Sequence, residues 1–239
     1  MPRSRRSYAY LISCRLGDAQ AGSICMTFAC AYAQGEGDGD RKLVKASLVQ
    51  ARRYDFNQVK VAERVEALYD TIDQHRGKSP WDHWSKEKPD FYGLGCVIDN
   101  SRNIAFREVM EDMEFSADLV IVRPGDEIKE TAAETIVERE LIISNLANRF
   151  GKGHIALQPD QGGEHDIPVL EIKEALQGAQ ARPTVQHKAV TVLPELDPRD
   201  DIALCLGLGV LWSSYMAPES ENWLLHQAMV QRPSYDWVV

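Results

Sequence analysis

A chain of 239 residues, 44% hydrophobic and 26% charged, suits one globular domain with a full core and excludes wholesale disorder. Its 27 basic and 36 acidic residues leave a net charge of −9. That excludes gripping nucleic acid by bulk positive charge, though not an enzyme that gathers carboxylates around metal ions.

Taken in order, Ser7 to Cys14 reads as a strand, followed by the polar turn Arg15-Leu16-Gly17-Asp18. Ser23 to Ala33 is a second apolar stretch, and Leu43 to Ala51 alternates as a third strand after the glycine-rich turn of residues 34–40. Three strands joined by turns predict an antiparallel meander. The period then changes: Val61, Val65, Leu68 and Ile72 recur at helical spacing, so Asn57 to Ile72 is predicted as an amphipathic helix. After a polar, tryptophan-containing loop from His75 to Asp90 comes the apolar run Phe91 to Ile98, which ends at Asp99-Asn100-Ser101. Ile104 to Met113 is predicted helical and Ala117 to Val122 a buried strand, which makes a parallel βαβ unit.

Further along, Ile143, Leu146, Ala147 and Phe150 mark a helix stopped by Gly151 and Gly153. His154 to Leu157 suits a short strand, Val169 to Leu176 a short helix, and Gly178 to Thr184 a linker-like stretch. Asp201 to Tyr215 is apolar on nearly every face, which predicts a buried helix. The layout predicts a single α/β domain over residues 1–216. Residues 217–239 form a tail, rich in Trp and Leu, that packs back on the domain or docks a partner. The basic N-terminal tip lacks the uninterrupted apolar run of a signal peptide, because Arg15 and Asp18 break it. The longest apolar run, Ile202 to Trp212, is far short of the ~20 residues of a membrane span. Five scattered cysteines with no CxxC pair argue against a zinc site and for a reducing, cytoplasmic compartment.

Two sets of carboxylates stand where chemistry is expected. Asp99 follows an apolar strand directly, and the carboxyl ends of strands in an α/β sheet open onto the ligand crevice. Its bland role is to cap the turn or helix that begins near Ser101. Asp200 and Asp201 enter the buried helix together; one can cap while the other points into a crevice. Carboxylates this close are poor neighbours unless a divalent cation such as Mg²⁺ or Mn²⁺ bridges them, and Asp18 in the first turn is a third candidate. Among basic residues, Arg3, Arg5, Arg6, Arg52, Arg53, Lys86 and Lys88 are candidate phosphate contacts as well as ordinary surface charges. The predicted fold is a ribonuclease H-like mixed sheet, in which a meander is followed by parallel strands and helices flank the sheet.

Three segments resemble the nuclease domain of phage terminase large subunits. Leu16-Gly17-Asp18-Ala19-Gln20 follows the first strand as that family's first motif does. Glu138 to Leu146, with Gly151-Lys152-Gly153-His154-Ile155, is similar to its late helix and Gly-x-Ile strand. Arg199-Asp200-Asp201-Ile202-Ala203-Leu204-Cys205-Leu206-Gly207-Leu208 resembles its His-Asp-Asp-Leu-Val-x-Ala-Leu-Ala-Leu block and is the most specific of the three.

The resemblance implies metal-dependent endonucleolytic cleavage of double-stranded DNA in phage or prophage packaging, inside a bacterial host cell. It assigns Asp99 as the second metal-binding acid and Asp200 or Asp201 as the third, with Mg²⁺ or Mn²⁺ as the cation. Two departures shape the expectation. The family's leading Asp falls on Arg15, whose guanidinium repels a cation, so Asp18 is the substitute. No phosphate-binding loop is present either, since Ile72 stands where the first glycine before Gly77-Lys78-Ser79 belongs. The expectation is a free-standing module whose partners are a separate packaging ATPase, a small terminase subunit or a portal. Two readings stay open: an active two-metal endonuclease, or a pseudonuclease that keeps the fold as a DNA-binding or packaging-complex subunit.

Overall fold

The computed structural model describes residues 6–17, 22–34, 41–54, 70, 92–102, 117–123, 128–130, 135–178, 181–183, 189–191 and 198–215. The strands are β1 (Arg6–Arg15), β2 (Ser23–Gln34), β3 (Arg41–Tyr54), β4 (Tyr92–Asp99), β5 (Asp118–Arg123), β6 (Ile128–Glu130), β7 (Thr135–Glu138), β8 (Ile155–Leu157), β9 (Ala181–Pro183) and β10 (Ala189–Thr191). The helices are α1 (Arg139–Gly151), α2 (Val169–Gly178) and α3 (Pro198–Tyr215).

Eight strands form one sheet in the order β6-β7-β5-β4-β1-β2-β3-β8. β1, β2 and β3 are the antiparallel meander, β4 and β5 run parallel to β1, and β7 runs parallel to β5. A three-strand meander continued by parallel strands on the far side of β1 is the ribonuclease H-like arrangement. β9 and β10 pair separately as a short antiparallel ribbon. The Gly178 to Thr184 stretch is therefore not plain linker, because Ala181–Pro183 is paired.

The meander follows from β-compatible residues alternating between two apolar faces. Ala9 and Leu11 of β1, Met26 and Phe28 of β2 and Leu48 of β3 belong to one core with the three helices. Ile12, Cys14, Cys25, Cys96 and Ile98 are packed together in a separate cluster. Every residue of α3 from Asp201 to Ser213 is buried, as its unbroken apolar character requires. Each Leu or Ile so buried contributes roughly 1.5–3 kcal/mol of transfer free energy.

Two glycines let α3 lie close to its neighbours. A Cβ on Gly209 would sit 2.2 Å from Phe28 Cε2, and one on Gly207 would sit 2.5 Å from Ile142 Cγ2 of α1. Tyr32 donates its hydroxyl to Ser213 O at 2.9 Å, and Trp212 Nε1 donates to Asp118 Oδ2 at 2.7 Å, which ties the helix to β2 and β5. α1 ends where Gly153 takes a φ of +70°, left-handed backbone that glycine adopts without strain, while Gly151 is still helical. The predicted helices at Asn57 to Ile72 and Ile104 to Met113, and the tail of residues 217–239, lie outside the described residues.

Candidate functional site

Four parallel strands end together along one edge of the sheet, and a charged side chain closes each of them. Arg15 ends β1, Asp99 ends β4, Arg123 ends β5 and Glu138 ends β7. Backbone bonds knit this edge: Leu16 N donates to Asp99 O at 3.0 Å and Asn100 N to Val120 O at 3.1 Å. The first turn of α3 delivers Asp201 to the same place, held there by the close seat of the helix on the sheet.

Asp99 and Asp201 converge, and what joins them is Arg15. Its Nη1 is ion-paired with Asp99 Oδ2, and its Nε donates to Asp201 Oδ1 at 2.8 Å. The three side chains are 10%, 2% and 8% exposed respectively, so the bridge lies in the interior. Arg102 completes the group, its Nη1 donating to Asp201 Oδ2 at 2.6 Å. Asp99 Oδ1 accepts from Ser101 N at 3.0 Å and also from Ser101 Oγ. Ser101 Oγ in turn accepts from Val122 N at 2.8 Å, linking the site to β5. Asp99 Oδ1 thus fills the capping role open to it in the sequence, while Oδ2 is taken by Arg15.

All four carboxylate oxygens of Asp99 and Asp201 are therefore engaged by protein donors. A planar guanidinium with five N–H groups, permanently charged, meets two carboxylates as a divalent cation would, without coordination chemistry. Asn100 Oδ1 is buried without a hydrogen bond, but one neutral amide oxygen does not replace two occupied carboxylates. Among the described residues no three or more His, Cys, Asp or Glu side chains come together as a metal site. The donor set does not fit Mg²⁺ or Mn²⁺ while Arg15 is in place.

The other expected residues fare differently. Asp200 lies in α3, but its side chain is outside the described residues, as is the whole of Asp18. Arg52 pairs with Asp166 at 3.6 Å and Arg53 with Glu171 at 2.6 Å, so these two candidate phosphate contacts are tied to the β3 edge. Sequence reasoning missed Arg102 and the bridging role of Ser101. Their signal was position alone: they directly follow the Asp99-Asn100 strand end, where a turn brings them to Asp99 and Asp201. It also missed Glu138, which is buried at the end of β7.

The described residues contain no helix long and apolar enough to cross a membrane. No family model matches the chain, and no curated protein matches it in sequence. Among solved structures, it is similar to the large terminase nuclease of the thermophilic phage G20c, determined with bound cobalt. The identity is 15% over 88% of this chain and 89% of that one, with a TM-score of 0.48. It is also similar to the human cytomegalovirus terminase nuclease domain soaked in manganese, at 12% identity over 87% and 84% of the two chains, with a TM-score of 0.44.

Proposed function

We propose that this chain is a nuclease-fold subunit of a phage or prophage DNA-packaging complex, one that contacts double-stranded DNA without cutting it. The observation that carries the reading is the buried bridge from Arg15 to Asp99 and Asp201. The ribonuclease H-like strand order and the Asp-Asp block at the head of α3 support descent from a metal-dependent nuclease. At the position where that chemistry needs a carboxylate, this chain carries a cation of its own. The site is self-neutralised and gains nothing from a bound metal.

The second reading, an active endonuclease using Asp99, Asp201, Asp200 and Asp18, is favoured by the meeting of Asp99 and Asp201 at the carboxyl edge. It requires Arg15 to withdraw. Arg15 is paired in register with both Ile24 and Asp99, which fixes its backbone within the sheet.

The two readings separate in one experiment. Purified protein is incubated with supercoiled plasmid and Mg²⁺ or Mn²⁺, and binding is followed by gel shift on the same DNA. The proposal expects retarded DNA that stays supercoiled, with or without metal. Nicking by the wild type that Asp99→Ala abolishes would establish the endonuclease instead.

A further inference from the structure

We propose that Cys14 and Cys25 form a redox pair that a hydroperoxide closes into a cross-strand disulfide beside Arg15. The two residues are direct partners in the antiparallel register of β1 and β2. The Cys14 thiol donates to the Cys25 sulfur at 2.9 Å. Directly opposed residues of an antiparallel pair have Cα atoms about 4.5–5.5 Å apart, within the range that a disulfide spans. All five cysteines are free thiols; Cys96 packs in the same cluster, but the sulfur–sulfur hydrogen bond is the one between Cys14 and Cys25. Cys205 instead directs its thiol to Ser13 O at 3.3 Å.

The order of events follows from burial. Cys14 is 0% exposed and Cys25 4%. Burial, reinforced by the Cys25 sulfur, pushes the Cys14 thiol well above its ordinary range and keeps it protonated. Cys25 keeps the little exposed surface the pair has, so it meets the peroxide first. Its sulfur attacks one peroxide oxygen, the O–O bond breaks, and the products are a sulfenic acid on Cys25 and water (or an alcohol from an organic hydroperoxide). Cys14 Sγ then attacks the Cys25 sulfur, the S–O bond breaks, and a second water leaves with the Cys14 proton. Two thiols lose two electrons in all, and the peroxide gains them. The new bond pins the end of β1 that carries Arg15, just where the chain enters the turn to β2. In a reducing compartment such a bond is transient, which suits a sensor more than a structural staple.

The test uses the native wild-type protein. It is exposed to hydrogen peroxide, quenched, alkylated under unfolding conditions and mapped by mass spectrometry. The expected product is a single intramolecular Cys14–Cys25 disulfide, reversed by dithiothreitol, with an upward shift in melting temperature while it lasts. Cys25→Ser should abolish it and Cys30→Ser should leave it intact. A map with all five cysteines alkylated after oxidation, or a bridge that uses Cys30, Cys96 or Cys205, would overturn the proposal. Because the wild-type map decides, the result does not depend on either variant folding.

Discussion

Arg15 and Asp99 are register partners at the last residues of β1 and β4, and the guanidinium of the first closes on the carboxylate of the second. Neighbouring parallel strands bring the two together, so the pair is built into the sheet and does not depend on a loop. Asp201 joins from α3, a helix anchored along most of its length. A cation fixed by backbone pairing thus stands between two acids where the family resemblance implies a metal ion.

Arg15→Ala removes the one charge that, among the described residues, pairs with both Asp99 and Asp201, and leaves two buried carboxylates without it. Breaking a buried pair from one side costs about 3–5 kcal/mol. The variant should unfold at a correspondingly lower urea midpoint. Arg102→Ala should cost far less, about 1 kcal/mol or below, because Arg102 is 22% exposed and Asp201 keeps its bond to Arg15. Equal losses in the two variants would contradict the geometry described for Arg15.

Arg15→Asp should reverse the metal response. Three carboxylates crowded at one edge repel one another, and a divalent cation relieves them. In a thermal-shift assay, Mn²⁺ should raise the melting temperature of this variant and leave the wild type unmoved. An equal response in both proteins would count against Arg15 as the occupant of the cation position.

Gly209→Ala should destabilise despite the better helix propensity of alanine, worth about 1 kcal/mol. The added methyl collides with the Phe28 ring, and overpacking of this kind costs about 1–3 kcal/mol. Phe28→Leu made in the Gly209→Ala background should recover part of the loss. A double-mutant cycle with no coupling would show that the helix does not rest on that ring.

Stability should also fall in alkali. Burial raises the Cys30 thiol from 9.0 to about 12, and raises Cys14 and Cys96 as well. Between pH 9 and 12 the unfolded chain loses the Cys30 proton while the folded chain keeps it. The folded state then binds more protons, and stability drops as pH rises, by about 1.4 kcal/mol per pH unit for each such thiol. Below pH 9 the contribution is fully present. Urea midpoints from pH 8 to 10.5 should trace the decline, and Cys30→Ala should make it shallower.

Much of the fold was legible because long elements carry their own periodicity. The alternation of β1 to β3, the parallel pair β4 and β5, and the apolar α3 all followed from residue pattern. β6, β7 and β9 did not, for they have 3, 4 and 3 residues, too few to show a period, and tertiary pairing alone makes them strands. At the site, Asp99 was legible from its place after an apolar run. That Asp201 would meet Arg15 was not, since it depends on the rotation of α3 about its axis. Arg15 was recognised as a departure, but nothing in its neighbours indicated that it would reach both acids. That follows from the strand order, which places β4 beside β1.

The most direct measurement is calorimetric titration of Mn²⁺ into the wild-type protein. An interior whose acids are already bridged by Arg15 should give no saturable binding heat, and Asp99→Ala should not alter the trace. Stoichiometric Mn²⁺ binding by the wild type, lost in Asp99→Ala, would contradict the account.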